Sequence, residues 1–176
     1  ITDDIINVGV SADIIIFINI YPSTESIVEA WSFTCGLDNY IKRPIAGVLN
    51  ISSSLDFSKN NVNKYLTGLI FHEFTHILVF SADLYTYFWD NTLKQTKPIS
   101  EIILEDQIIN GNRRNLIITP KVINETKHHF NCTSVIGLEL ENQDEESYGS
   151  HWESRLMLGD YMISTSYDDI AISRVT

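Results

Sequence analysis

The sequence predicts an α+β domain. Three segments lead to this class: two short apolar runs, Ala12–Tyr21 and Pro44–Ile51, and one longer amphipathic segment, Val62–Val79. β-branched apolar runs favour strands, whereas apolar residues three and four positions apart favour a helix. With 176 residues, of which 44% are hydrophobic, the chain is long enough to bury a sizeable core.

The two predicted strands differ in character. The first contains the run Ile14–Ile18, which Pro22 stops, and a continuous apolar run of this kind is typical of a strand buried on both faces. The second contains Gly47, whose missing side chain leaves room for another backbone to approach closely.

The predicted helix carries the string His72-Glu73-Phe74-Thr75-His76. Histidines at positions i and i+4 lie one turn apart on the same helix face, so both imidazoles reach one metal ion. The carboxylate between them is close enough to hold a water molecule on that ion. The motif predicts a zinc site with His72 and His76 as ligands and Glu73 as general base. Two hydrogen-bonded core histidines without a metal are the alternative interpretation.

Two stripes run along this helix. One stripe is predicted to pack against the core, and the other is predicted to carry the polar site. The packing stripe is Leu66, Ile70, Phe74 and Ile77, and the site stripe is Leu69, His72, Glu73 and His76.

Weaker signals follow the helix. The segment Leu116–Thr119 is strand-like, and Thr119 followed by Pro120 is a helix-start signal for a short helix toward Phe130. The acidic run Glu139–Glu146 lacks the ligand pattern and glycine of a calcium loop, so it is predicted to be a solvent-exposed loop.

The composition excludes several partners. The formal net charge of −11 argues against nucleic acid and against an anionic membrane surface. No apolar run approaches the roughly 20 residues that span a bilayer, so no membrane-spanning segment is expected. Asp3 and Asp4 stand where a signal peptide would be positive, and the chain is expected to be part of a longer protein. No oligomeric state is predicted.

Cysteines and glycosylation sequons bear on the compartment. Cys35 and Cys132 are compatible with one disulfide, but two cysteines do not establish an oxidising compartment. Sequons begin at Asn50, Asn124 and Asn131, which favours a secretory route, although some must be accidental.

A catalytic zinc needs a third protein ligand from outside the helix. The remaining histidines are His128, His129 and His151, with Asp or Glu as the other possibility. His128 and His129 are expected to lie at the end of the Pro120 helix, where positive charge is favoured. A short-spacer motif is excluded because Val79 occupies its glycine position and no histidine follows closely.

Several segments together resemble the leishmanolysin-like metallopeptidases, a metzincin family with a long insertion between the zinc helix and the third histidine. The resemblance is carried by Ala12–Ile14, Arg43–Asn50, His72–Ser81, His129–Cys132, Leu140–Gln143 and Gly149–Arg155. It implies a zincin or metzincin-type catalytic domain, with a twisted mixed sheet, a zinc-binding helix and that insertion. It also implies that the strand at Pro44–Ile51 is the edge that pairs with an extended substrate.

The resemblance assigns the site residues that spacing leaves open. It implies one catalytic Zn²⁺ held by His72, His76 and His151, with Met162 in the Met-turn. Met157 is the other candidate for the Met-turn methionine. It further implies hydrolysis of peptide or protein substrates in a secreted or cell-surface setting.

The same resemblance predicts three regions within a single catalytic unit. Residues 1–80 would form the subdomain with the zinc helix, 81–148 the insertion, and 149–176 the start of the subdomain with the third ligand.

Two departures from the family pattern remain. Val79 replaces a glycine and disfavours a positive φ, so either the turn is built differently or the site is impaired. An impaired site would make the chain a catalytically silent zinc-binding module for adhesion or interaction. Family cysteines pair with regions beyond these boundaries, so Cys35 and Cys132 are predicted to be free thiols.

Overall fold

The computed structural model describes residues 9–22, 28–55, 62–142, 148–160, 162–163 and 175–176, with the backbone alone at 62 and 63. The described residues form three small sheets, two α-helices and two short 3₁₀ helices. This mixture confirms the predicted α+β class. No helix among these residues has both the length and the apolar character needed to cross a membrane.

The first sheet contains β1 (Ile15–Tyr21), β2 (Ala30–Leu37) and β3 (Pro44–Ser52) in the order β1-β3-β2. β3 runs parallel to β1 and antiparallel to β2. Both predicted strands are therefore confirmed, and β2 was not predicted. The expectation that Pro44–Ile51 forms an open edge for substrate is wrong, because β3 is central and pairs on both sides.

The prediction that β1 is buried on both faces is also wrong. Ile18 and Ile20 are 64% and 65% exposed. Among the described residues β1 lies at the sheet edge, and the helix that packs on this sheet contacts mainly β2 and β3. A run of isoleucines records β-propensity, but it does not show what covers the strand.

That helix is α1 (Val62–Leu78), whose bounds agree with the prediction. Ile77 packs with Leu49 and Ile51 of β3 in a small buried cluster. A Cβ placed on Gly47 would lie 2.3 Å from Ile77 Cγ2, so the glycine is what allows α1 to approach β3. The predicted division of the helix faces is only partly right, because the site stripe is the more deeply buried one.

The second half of the chain builds a separate sheet in the order β6-β7-β8. Its strands are β6 (Ile103–Ile109), β7 (Asn112–Ile117) and β8 (Leu138–Glu139), and α2 (Pro120–His129) lies between the last two along the chain. α2 begins at Pro120 after Thr119, as predicted, although the Thr119 side chain makes no capping hydrogen bond.

Shorter elements connect α1 to this sheet. They are the 3₁₀ helices Ala82–Tyr87 and Ile99–Glu101 and a small hairpin of β4 (Trp89–Asp90) and β5 (Gln95–Thr96).

The main core joins the second half of the chain to the end of α1. Its buried members are Phe80, Tyr85, Ile102, Ile117, Leu138, Leu140, Trp152, Met157, Met162, Ile163 and Val175. Side chains from residues 81–148 and from residues after 149 thus share one cluster. The division at residues 80 and 148 stays a prediction.

The acidic run is not wholly a solvated loop as predicted. Glu139 and Glu141 are buried, because Glu139 belongs to β8 and both flank a bridge between Leu140 and Trp152. Residues 143–147 of that run lie outside the described residues.

The sequons and cysteines also differ in their surroundings. Asn50 is buried in β3, whereas Asn124 and Asn131 are exposed. The sequon at Asn50 is therefore one of the accidental ones. Cys35 and Cys132 are both free in the structure, as predicted.

Candidate metal centre

Three histidines converge at the inner face of α1. Nε2 of His76 lies 3.0 Å from Nε2 of His72 and 3.2 Å from Nε2 of His151, and the His72 and His151 atoms are 3.1 Å apart. The helix contributes His72 and His76, and His151 comes from a loop 75 positions after His76. The structure thus brings together the three residues assigned as ligands.

Hydrogen bonds among the rings do not explain this triangle. Each Nε2 is either a donor or an acceptor, so two of three atoms are always of the same kind and at least one contact is mismatched. Zinc binds imidazole nitrogen at about 2.0–2.1 Å, which places the nitrogens of a tetrahedral site about 3.3 Å apart. The donor set and its spacing therefore fit one shared zinc ion.

His76 is fixed in the form that binds metal. Its Nδ1 lies 2.6 Å from the carbonyl oxygen of Phe80, to which it donates, so Nε2 carries the lone pair. Burial and the nearby His151 lower the pKa of His76 to about 4, while the Phe80 carbonyl acts in the opposite direction. The imidazole is consequently neutral near pH 7, as a ligand must be.

The turn at the end of α1, which leads to the Phe80 carbonyl, is formed without a glycine at position 79. The backbone N–H groups of Val79 and Phe80 both donate to the Thr75 carbonyl, at 3.0 and 2.9 Å. The φ angle of Val79 is not positive, so valine is accommodated without strain. The turn after α1 therefore does not need the positive φ that favours glycine at this position, and the activity of the site stays a prediction.

Glu73 is a buried carboxylate on the same helix face. Its side chain is 4% exposed, and Oε2 has no hydrogen-bond partner among the described residues. Burial raises the pKa of Glu73 to about 7, with Ser32 acting to lower it. A carboxylate oxygen held in this way has a free lone pair and a pKa near the pH at which a general base operates.

The loop that carries His151 is attached to the segment following α1. The Tyr85 hydroxyl donates to the Gly149 carbonyl at 2.9 Å, and the Ala82 N–H donates to Ser150 Oγ at 3.2 Å. Gly149 has a φ of +71°, which favours glycine at that turn.

The same loop is also paired with the chain after β8. The Glu141 N–H donates to the His151 carbonyl at 2.8 Å, and the Glu153 N–H donates to the Glu139 carbonyl at 3.0 Å. Together with the bridge between Leu140 and Trp152, these bonds form a short antiparallel ladder. His151 is therefore held by main-chain bonds on both sides.

Both methionines lie in the main core. Met162 is fully buried, and its carbonyl accepts a 2.7 Å hydrogen bond from the N–H of Trp152, the residue after His151. Met157 is buried in the same cluster. This connection to the His151 segment supports Met162 over Met157, but its Met-turn role stays a prediction.

His128 and His129 lie elsewhere. Both are exposed in the last turn of α2, which is the helix end at which they were expected. Within the described part of the chain, the one group of three or more potential metal ligands is His72, His76 and His151.

Sequence reasoning did not find the groups that orient the ligands. The Phe80 acceptor is a backbone carbonyl, and every residue has one, so no sequence signal marks it. Tyr85 belongs to an aromatic cluster that is visible in the sequence, but its bond to Gly149 depends on the tertiary fold.

Comparison with known families agrees with this arrangement. The profile of peptidase family M8, leishmanolysin, matches residues 1–174. The chain belongs to the leishmanolysin family. The match includes both the α1 histidines and His151.

Individual leishmanolysin relatives have modest sequence identity to this chain. The chain is 28% identical over 180 residues to a leishmanolysin-like peptidase of Drosophila melanogaster, covering 86% of this chain and 26% of the relative. It is 31% identical over 170 residues to that of Caenorhabditis elegans, covering 81% and 26%. For the ciliated left-right organizer metallopeptidase of Danio rerio, the values are 29% over 148 residues, with 80% and 22% coverage. The chain thus spans about a quarter of the length of these curated relatives.

Proposed function

We propose that this chain holds the catalytic centre of a zinc-dependent endopeptidase of the leishmanolysin type. One Zn²⁺ would be held by His72, His76 and His151. The observation that carries the proposal is the convergence of the three Nε2 atoms within 3.0–3.2 Å of one another. Membership in a peptidase family supports it independently.

Glu73 is the proton carrier in this proposal. Zinc, when bound, polarises the scissile carbonyl and makes coordinated water more acidic. Glu73 accepts the proton of the attacking water at Oε2 and later donates it to the leaving amine. Its burial excludes competing solvent and keeps the pKa near 7.

Peptide substrates fit the free edge of the first sheet. β2 is paired with β3 on one side and is an edge strand among the described residues. Its Ser32 and Thr34 hydroxyls donate to the α1 carbonyls of Glu73 and Ile77, at 2.8 and 2.6 Å, so this strand is bound to the site helix. An extended peptide would add to β2 as a further strand. Peptides with N-methylated backbones should then have a raised KM, and an unchanged KM would contradict this.

The proposal also includes a metzincin-type fold and a cellular location. The mixed sheet, the site helix and the distant third histidine support a metzincin-type domain, with residues 81–148 as the insertion and Met162 in the Met-turn. The proposed location is secreted or at the cell surface, and family resemblance and the exposed sequons at Asn124 and Asn131 support it. Recovery of the full-length protein only from intracellular fractions would contradict this location.

Glu73→Gln tests the proposed role of the base. The substitution keeps the side-chain volume but removes the proton acceptor, so hydrolysis of a fluorogenic peptide should fall by about 100-fold or more. Zinc content should stay at about one ion per chain, because Glu73 is not a ligand. Glu105→Gln, at an exposed position of β6, is the matched control and should retain activity.

Two results would overturn the proposal. Hydrolysis at the wild-type rate in Glu73→Gln would remove the role of this carboxylate. A zinc-loaded wild-type chain that hydrolyses no peptide would instead favour a silent binding module. One reason for expecting that module was Val79, and the backbone at that position has no positive φ angle.

A further inference from the structure

Four charged side chains form a closed ring beside the His151 loop. Arg155 contacts Glu139 at 2.5 Å and Glu153 at 3.0 Å, and Arg114 contacts the same two carboxylates at 3.5 and 3.7 Å. Each carboxylate therefore lies between two guanidinium groups, and the four charges cancel. We refer to Arg114, Glu139, Glu153 and Arg155 as the ion-pair ring.

The ring is largely removed from solvent. The side chains of Glu153 and Glu139 are 1% and 10% exposed, and that of Arg114 is 11% exposed. Arg155 is the outer member, at 42%. Burial of charged groups is costly, and such ion pairs often add little stability compared with apolar residues of similar volume. A role in fixing geometry explains their presence better than a role in stability.

The ring connects the elements that flank the third histidine. Arg114 belongs to β7 and Glu139 to β8, while Glu153 and Arg155 follow His151 by two and four positions. The main-chain ladder sets Leu140 opposite Trp152, with Glu153 bonded to Glu139. A shift of one residue in such a ladder turns side chains to the opposite face. The two carboxylates would then no longer face both arginines.

We propose that the ion-pair ring fixes the register of the His151 segment against β8 and so positions the third metal ligand. Its members are positioning residues, since none of them belongs to the histidine cluster. The inference rests on the proposed function, in which His151 binds zinc. It adds a set of residues on which zinc affinity depends.

Variants of the ring test this through zinc binding. Arg155→Gln removes the outer, half-exposed guanidinium, which makes it the variant least prone to unfold. Glu153→Gln removes one buried charge with little change in volume. Each should raise the zinc dissociation constant, measured by chelator competition, by about 10- to 100-fold, the range for groups that orient metal ligands.

The adjacent arginine provides the control. Arg113 also lies on β7, but its side chain is 72% exposed and pairs with the exposed Asp106. Arg113→Gln should leave the zinc dissociation constant unchanged. Arg155→Lys, which keeps the charge but not the two-pronged geometry, should restore part of the affinity lost in Arg155→Gln.

A second measurement separates positioning from stability. Cobalt-substituted protein reports ligand geometry through its visible absorption, which should change in Arg155→Gln and not in Arg113→Gln. If Arg155→Gln lowers the melting temperature but leaves both the zinc dissociation constant and the cobalt spectrum unchanged, the ring is only structural and the inference fails. If the wild-type chain binds no zinc, the proposed function fails, and the inference falls with it.

Discussion

Tyr85 connects the segment after α1 to the His151 loop through a buried hydroxyl. The hydroxyl donates to the Gly149 carbonyl, two residues before His151. The ring itself packs edge-on against Phe80 and Phe88. Phenylalanine at position 85 would keep this packing and lose only the hydrogen bond.

Tyr85→Phe should therefore lower the free energy of unfolding by about 1–3 kcal/mol, because a buried carbonyl loses its donor. Urea denaturation measures this change. Tyr148→Phe is a matched control in the same loop. The Tyr148 side chain is 50% exposed and its hydroxyl contacts Asn115, so its loss should stay within about 0.5 kcal/mol. Equal losses in the two variants would contradict the role given to Tyr85.

At the residue scale, the sequence predicted what local spacing determines. His72, Glu73 and His76 lie within five consecutive positions, and helical periodicity alone places them on one face. His151 required family resemblance, because 75 positions separate it from His76. Glu139 was wrongly predicted to be solvated, since both the bridge that buries it and the arginines that pair with it involve segments distant in sequence.

At the element scale, the close approach of α1 to β3 depends on Gly47. An added Cβ would meet Ile77, which is fully buried and cannot move away freely. The sequence predicted a close backbone approach at this glycine, and the structure shows that a helix side chain fills the space.

Gly47→Ala should lower the free energy of unfolding by about 1–3 kcal/mol through overpacking. The double variant Gly47→Ala/Ile77→Ala tests the cause, because removal of the Ile77 branches opens the space for the new methyl group. The effects should then be less than additive in a double-mutant cycle. Strict additivity would show that the two positions do not contact each other as described.

Strand propensity predicted the existence of β1 and β3 but not their environment. β1 is an edge strand with exposed isoleucines, and β3 is the centre of the sheet. Sheet order is set by non-local pairing, which a run of β-branched residues does not encode. β2 was missed although its apolar residues alternate with Ser32, Thr34 and Gly36, a pattern that is itself typical of a half-buried strand.

At the scale of the whole molecule, α1 connects two separate clusters of buried side chains. Ile77 belongs to the cluster on the first sheet, and Phe80, just beyond the helix, belongs to the main core. His76 directly precedes Ile77 in α1, and its Nδ1 donates to the Phe80 carbonyl. The candidate metal centre is thus connected to both clusters through His76 and its neighbours.

In the proposed site, His72, His76 and His151 together hold one zinc ion. Zinc content after dialysis, together with affinity from chelator competition, tests it most directly in the wild-type chain, in His151→Ala and in the double variant His128→Ala/His129→Ala. The wild type and the double variant should each retain about one zinc per chain, because the α2 histidines are exposed and do not belong to the group formed by His72, His76 and His151. In His151→Ala the zinc affinity should fall further than the roughly 10- to 100-fold expected when a group that only orients a ligand is changed. Retention of zinc by His151→Ala together with its loss from the double variant would contradict the assignment.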